Sequence, residues 1–284
     1  GMSMCQAAFD LGPLVDQEGM FALAEQRFTD AITAATAAGL TNILNAAYVG
    51  RARVRLFQHN ATGAIADAQL VPSGFVFNAA MDASNTRRFN HVFNPISTNG
   101  SMTVEVSART LMTENGEVDP RSGTTQLTTK PGDGVSVIFI PNKDNAASLT
   151  AGEALPMPIA RYEEAQLILA EAQGGASAVT IINAMRSSVG LAPYAGATDA
   201  ASITNLIISE RQRVLFVEGF RMFDVERFNL ALVPAAGSGY RTGTAGGSYG
   251  STVCMPVPDI EALNNPNIDP SQILNGVQGK FPIP

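Results

Sequence analysis

The segment ISERQRVLFVEGFRMFDVERFN, residues 208–229, sets a carboxylate where a helix should be greasy. Glu210 falls in phase with Ile203, Ile207, Val214 and Val217, the stripe that faces a core. Arg211, Arg213, Glu218, Arg221, Asp224 and Arg227 crowd around it. A buried carboxylate is costly unless it is paired and hydrogen-bonded, and the arginine fork supplies both prongs. Glu210, Glu218 and Asp224 lie close enough in sequence to suggest a glycosidase-like carboxylate pair. Interleaved arginines hold such carboxylates ionised, however, which is the wrong setting for a general acid. The segment therefore reads as a structural clasp of Glu210, Arg211, Glu218, Arg221, Asp224 and Arg227. Glu210 is expected to be buried against at least one of Arg161, Arg186, Arg221 and Arg227.

Helical periodicity extends on both sides of the clasp. Residues 160–173 place Tyr162, Ala165, Ile168, Leu169 and Ala172 on one face, and 177–189 form a second helix closed by Gly190. A helix over 201–217 follows, with a break at Gly219 and a continuation to about Phe228. Near the start, 19–38 aligns Phe21, Ala24, Phe28, Ala31, Ile32 and Ala35, and Gly39 is a stop. Residues 42–59 repeat the pattern, and a shorter helix covers 61–70, before Pro72. Alanine and glycine at the contact positions allow close antiparallel approach, as in tetratricopeptide-type hairpins. Between Pro72 and about Pro158 the periodicity disappears, and only 101–110 and 134–141 carry strand-like composition.

The expected fold is mostly α, with tetratricopeptide-like hairpins, a long irregular loop-rich segment and minor β. As one domain over 1–284, it divides into hairpins at 19–71, an irregular ligand-facing segment at 72–158, a helical cluster at 159–229 and an extended tail at 230–284.

Bulk properties exclude several classes. The 284 residues are 45% hydrophobic and 15% charged, a globular composition, and the net charge of −7 argues against phosphate-backbone binding to nucleic acid. No run approaches the roughly 20 apolar residues of a membrane span. Two histidines without a Cys/His cluster argue against zinc, and no cofactor is implied. Cys5 and Cys254 make no disulfide framework, and whether they pair is open. The GGSYG at 246–250 matches a nucleophile pattern, but a Gly/Ser/Thr loop precedes it and STVCMPVP follows; the motif needs a strand before and a helix after. Gly1 ahead of Met2 reads as an expression remnant. The following residues have neither the basic nor the apolar part of a signal peptide, so Cys5 is not expected to carry lipid.

Four ordered motifs carry a resemblance: ARYEEAQLILAEA (160–172), IINAMRSSVGLAPY (181–194), the 207–228 block IISERQRVLFVEGFRMFDVERF, and MPVPDIEALNNPNID (255–269). With EVDPR (117–121) upstream, they resemble the SusD/RagB-like nutrient-binding proteins of bacterial outer membranes. One departure falls in the clasp, where Val214 replaces the second glutamate of the family's E-R-x-x-E-L. The chain looks like the later part of such a protein, truncated or naturally short. The resemblance implies a non-enzymatic lipoprotein at the cell surface, which captures oligosaccharide or another nutrient for a SusC-like TonB-dependent transporter. Its shared motifs lie on scaffold helices, so ligand contacts are expected in the loops.

There the residues themselves supply candidates: Phe75, Phe77, Asn78, Arg87, Arg88, Phe89 and Asn90, with Tyr240 and Tyr249 in the glycine-rich loop. Sugars need apolar platforms and planar hydrogen-bonding groups. The competing reading is that the phenylalanines plug the core. Two alternative functions stand beside glycan capture: a helical-repeat scaffold for protein partners, and a binder of peptides.

Overall fold

The computed structural model describes residues 15–93, 102–128, 137–144, 149–239, 247–251 and 265–267. The chain opens with a helical pair, α1 (Gln17–Ala38) and α2 (Thr41–Phe57), followed by α3 (Ala61–Ala68). Asp16 starts α1 by accepting the Gly19 N–H at 2.8 Å. Gly39 ends it in the left-handed conformation, donating back to Ala35 and Thr36. The two helices close tightly at Gly50, where an added Cβ would sit 2.3 Å from the Phe28 ring. Salt bridges then fasten all three helices: Asp67 pairs with Arg51 and Arg55, and Arg55 also reaches Glu25.

The C-terminal cluster consists of α5 (Tyr162–Gln173), α6 (Gly175–Ser187), α7 (Ala200–Val214) and α8 (Arg221–Arg227), preceded by the short α4 (Leu149–Glu153). Helix α5 joins the two halves because both of its faces are apolar. Ala165, Ile168 and Leu169 pack with Val49, Leu56, Ala64 and Ala68 of the first helices. Leu167 and Ala170 pack with Ile182, Ile203, Leu206 and Ile207 of α6 and α7. Burying one such aliphatic side chain is worth about 1.5–3 kcal/mol, so this shared helix holds the halves as one packed stack. Arg53 of α2 adds a charge pair to Glu164 at 2.5 Å. Arg227 lies over the rings of Phe57 and Phe228 at 4.5 and 4.6 Å, fixing α8 to the end of α2.

Strand content among the described residues is small, as expected, but only β3 falls where a strand was expected. A two-stranded antiparallel ribbon pairs β1 (Val76–Ala79) with β4 (Met157–Arg161), with a register shift between Phe77 and Asn78. A second pairs β2 (Thr124–Gln126) with β3 (Phe139–Pro141). Of the two expected strands, the described part of 134–141 gives β3. The 101–110 segment turns into a 3-10 helix at Val106–Ala108, after Val104 makes a single bond to the Phe139 carbonyl. Residues 160 and 161, expected at the start of a helix, finish β4 instead. Helix α7 stops at Val214, short of the expected 217. Cys5 and Cys254 lie outside the described residues.

Candidate functional site

Glu210 is 0% exposed, and its carboxylate takes three guanidinium groups. Arg186 Nε and Arg213 Nη2 both reach Oε1 at 2.6 Å, and Arg121 Nη2 reaches Oε2 at 2.9 Å. Asp119 caps the 3-10 turn Pro120–Ser122 by accepting the Arg121 N–H, and pairs with the Arg121 and Arg213 side chains. Glu114 closes the network on Arg186 at 2.6 Å. Three arginines thus balance three carboxylates, with Glu114 at the exposed rim and Glu210 and Asp119 fully buried. Burial opposes ionisation of Asp119 and Glu114, but hydrogen bonds from Arg121 and Arg186 outweigh it and hold both carboxyls below the usual range. This is a structural network in which every carboxylate is taken up by arginine, while the Arg186 Nη1 group stays buried without a hydrogen-bond partner among the described residues.

The other expected clasp residues divide among separate pairings. Arg211 bonds Asp224 at 2.8 Å, and Arg227 bonds Glu171 at 2.8 Å. Glu218 joins Arg161 and Lys143. Arg221 does not take part: the break at 215–219 turns it to the exposed side of α8, and among the described residues no carboxylate pairs with it. Glu210 was expected to meet at least one of Arg161, Arg186, Arg221 and Arg227, and it meets Arg186. Sequence reasoning missed Arg121, Asp119 and Glu114 as clasp members; the DPR triplet was the one signal for the first two, and Glu114 had none. Arg213 was visible at helical spacing from Glu210.

The expected ligand residues also divide. Phe75 is buried in the core, and Phe77 packs against that same core from β1. Asn90 is 1% exposed and fully engaged. Its Oδ1 accepts the Val92 and Phe93 N–H groups, while its amide donates to the Leu155 carbonyl at 3.1 Å. Phe89 is half-buried. Arg87 and Arg88 are exposed on a 3-10 turn, with Arg88 3.4 Å from Asp82. Asn78 is exposed on β1. Tyr249 is half-buried where the glycine-rich loop closes, its N–H donating to the Ser238 carbonyl at 2.9 Å. Tyr240 lies outside the described residues.

Two of these residues border a cleft of about 280 Å³ between the β1–β4 ribbon and the turn that joins α7 to α8. Asn78 and Asn90 stand on one side. Val76, Val92, Pro156, Met157 and Pro158 give aliphatic walls. Phe216, Val217 and Glu218 form the opposing wall, with Lys143 and Arg161 beside Glu218. Val217 has φ of 55°, an outlier for a β-branched residue. The Lys143 ammonium grips the carbonyls on either side of this turn, Val214 O at 2.6 Å and Phe216 O at 3.3 Å, as well as Glu218 at 2.8 Å. Arg161 adds bonds to Val214 O and to both Glu218 oxygens. The arrangement gives C–H surfaces facing a few fixed polar groups, which suits binding of a small polyol. Among the described residues no group of His, Cys, Asp and Glu is placed to hold a metal ion.

The model of the SusD family matches residues 77–269, more than half of the chain. Among solved structures, the SusD-like carbohydrate binding protein from Bacteroides vulgatus ATCC 8482 superposes with a TM-score of 0.57 at 16% identity, over 80% of this chain and 59% of that one. A SusD superfamily protein from Parabacteroides distasonis ATCC 8503 gives 0.46 at 17% identity, over 80% and 61%. A laminarin binding SusD-like protein gives 0.44 at 17% identity, over 66% and 55%. The chain therefore spans about three fifths of the length of the first of these structures. No curated protein matches. The first superposition bears out the mostly helical fold, and the family match runs from β1 through the clasp and the cleft: the chain belongs to the SusD family.

Proposed function

We propose that this protein captures an oligosaccharide at the bacterial cell surface and delivers it to a TonB-dependent outer-membrane transporter, without converting it chemically. The observation that carries the reading is the family match across 77–269, which takes in the cleft residues from Asn78 to Glu218. The cleft supports it in kind. Its walls present aliphatic surface to the C–H faces of a sugar ring, and the Asn78 amide stands at its edge. The similar carbohydrate-binding and laminarin-binding proteins point to the same ligand class. The site lies on the loop-rich side, with Asn78 as its polar contact and Asn90 as the scaffold beneath it.

Affinity is expected to be modest, weaker than about 1 µM, because a small cleft removes little apolar surface from water. Glycan-array screening followed by calorimetry tests the proposal. Asn78→Ala should weaken binding several-fold with an unchanged melting temperature. Asn90→Ala should lower the melting temperature, since it leaves the buried Phe93 N–H and the partly buried Val92 N–H without their acceptor. Failure of every sugar to bind, or an Asn78→Ala variant with undiminished affinity, would refute this assignment of ligand and site.

A further inference from the structure

The charges in the cleft are committed to one another and to the main chain. An ammonium has three N–H donors, and Lys143 meets three acceptors: the carbonyls of Val214 and Phe216 and the Glu218 carboxylate. Arg161 divides its donors among Glu218, Glu163 and the Val214 carbonyl. Among the partners described, the carboxylates of Glu218 and Glu163 offset these two cations. Arg87 and Arg88 on the neighbouring turn do not line the cleft.

These bonds also fix the shape of the wall. A left-handed backbone is costly for a non-glycine residue, a β-branched one above all, and persists only where its surroundings over-determine it. Here the two cations hold the carbonyls around Val217, whose φ is 55°. Withdrawing Lys143 or Arg161 to meet a ligand anion releases the turn that forms the wall. Such an anion also meets Glu218, and a ligand cation meets Lys143 and Arg161. The groups that remain available are uncharged or only partly engaged. They are the Asn78 amide, the outer lone pairs of Glu218 and the second Nη1–H of Arg161, all suited to hydroxyl groups.

We infer that the cleft accepts an uncharged sugar ring and discriminates against sugars bearing a carboxylate. The inference rests on the oligosaccharide reading above, and its test separates the two. Calorimetry on the full chain at pH 7 would compare oligosaccharide pairs of matched linkage: mannohexaose with hexamannuronate, and cellohexaose with its C6-carboxylated form. Any further sugar that binds on the array would be paired with its uronic-acid counterpart. Within each pair that binds, the neutral member should bind at least tenfold more tightly. Equal or tighter binding of the acidic member overturns the inference and leaves the oligosaccharide reading standing. Absence of binding by every sugar removes both. Asn78→Lys adds an uncompensated cation at an exposed position without touching Lys143, Arg161 or Glu218. It should bring the acidic member to within about threefold of the neutral one, by the same Coulombic argument. Discrimination unchanged in that variant also overturns the inference.

Discussion

Replacing Glu210 with alanine tests the clasp most directly. The substitution removes the central carboxylate from a set of three arginines and three carboxylates in which Glu114 alone is exposed. Arg186 and Arg213, 0% and 2% exposed, are left with an excess positive charge that water cannot reach. Removing one partner of a buried pair costs about 3–5 kcal/mol, a large part of the roughly 5–15 kcal/mol that holds a typical domain folded. At roughly 2–4 °C per kcal/mol for a chain somewhat smaller than this one, the melting temperature should fall by about 6–20 °C. Glu210→Gln should cost less, because the amide oxygen still accepts one arginine. Differential scanning calorimetry would measure all three proteins beside Arg88→Ala, which removes an exposed pair and should cost no more than about 1 kcal/mol. A loss from Glu210→Ala as small as that control would refute the view that the network is buried and structural.

Two further outcomes follow from the packing and the charges. Asp119 and Glu114 have folded pKa values below their unfolded values of about 4, so their contribution is complete above about pH 4 and is lost as pH falls through the folded values. The urea midpoint should hold from pH 7 to pH 5 and drop below pH 4, with a shallower drop in Asp119→Asn; a midpoint that already falls between pH 7 and 5 contradicts this. Gly50→Ala should cost about 1–3 kcal/mol in chemical denaturation, because its methyl group meets the Phe28 ring, and Phe28→Leu in the same chain should recover part of that loss.

Sequence periodicity revealed the helices well because their apolar stripes are continuous: Phe21, Phe28 and Ala35 on α1, and Ile203, Ile207 and Val214 on α7. The burial of Glu210 was visible for the same reason, as a charge in phase with that stripe. Its partners were harder to name. Arg121 lies 89 residues away, and the DPR triplet that marks it says nothing of which carboxylate it meets. Strand β4 was missed because MPIAR follows a proline and contains another, a composition that reads as loop. Asn90 looked like a ligand amide because sequence cannot separate an asparagine that contacts a sugar from one that holds its own turn. Arg221 was misplaced because the left-handed Val217 and Gly219 reset the helical phase before α8. The cleft was illegible for a deeper reason. It is assembled from 76–78, 90–92, 143, 156–161 and 216–218, and no short-range pattern encodes that convergence.

The two-faced helix α5 has a consequence for how the molecule is made. Between Ala68 and Tyr162 the chain runs for roughly 90 residues before it supplies the helix that covers α2 and α3. A ribosome adding about 5–20 residues per second needs about 5–20 s to cross that interval. During that time Val49, Leu56, Ala64 and Ala68 have no α5 to bury them. The excursion is thermodynamically tolerable, since each doubling of a closed loop costs only about 0.6 kcal/mol. Its burden is a matter of timing: the nascent first hairpin must be shielded, by a chaperone or by its own transient contacts, until its permanent cover emerges.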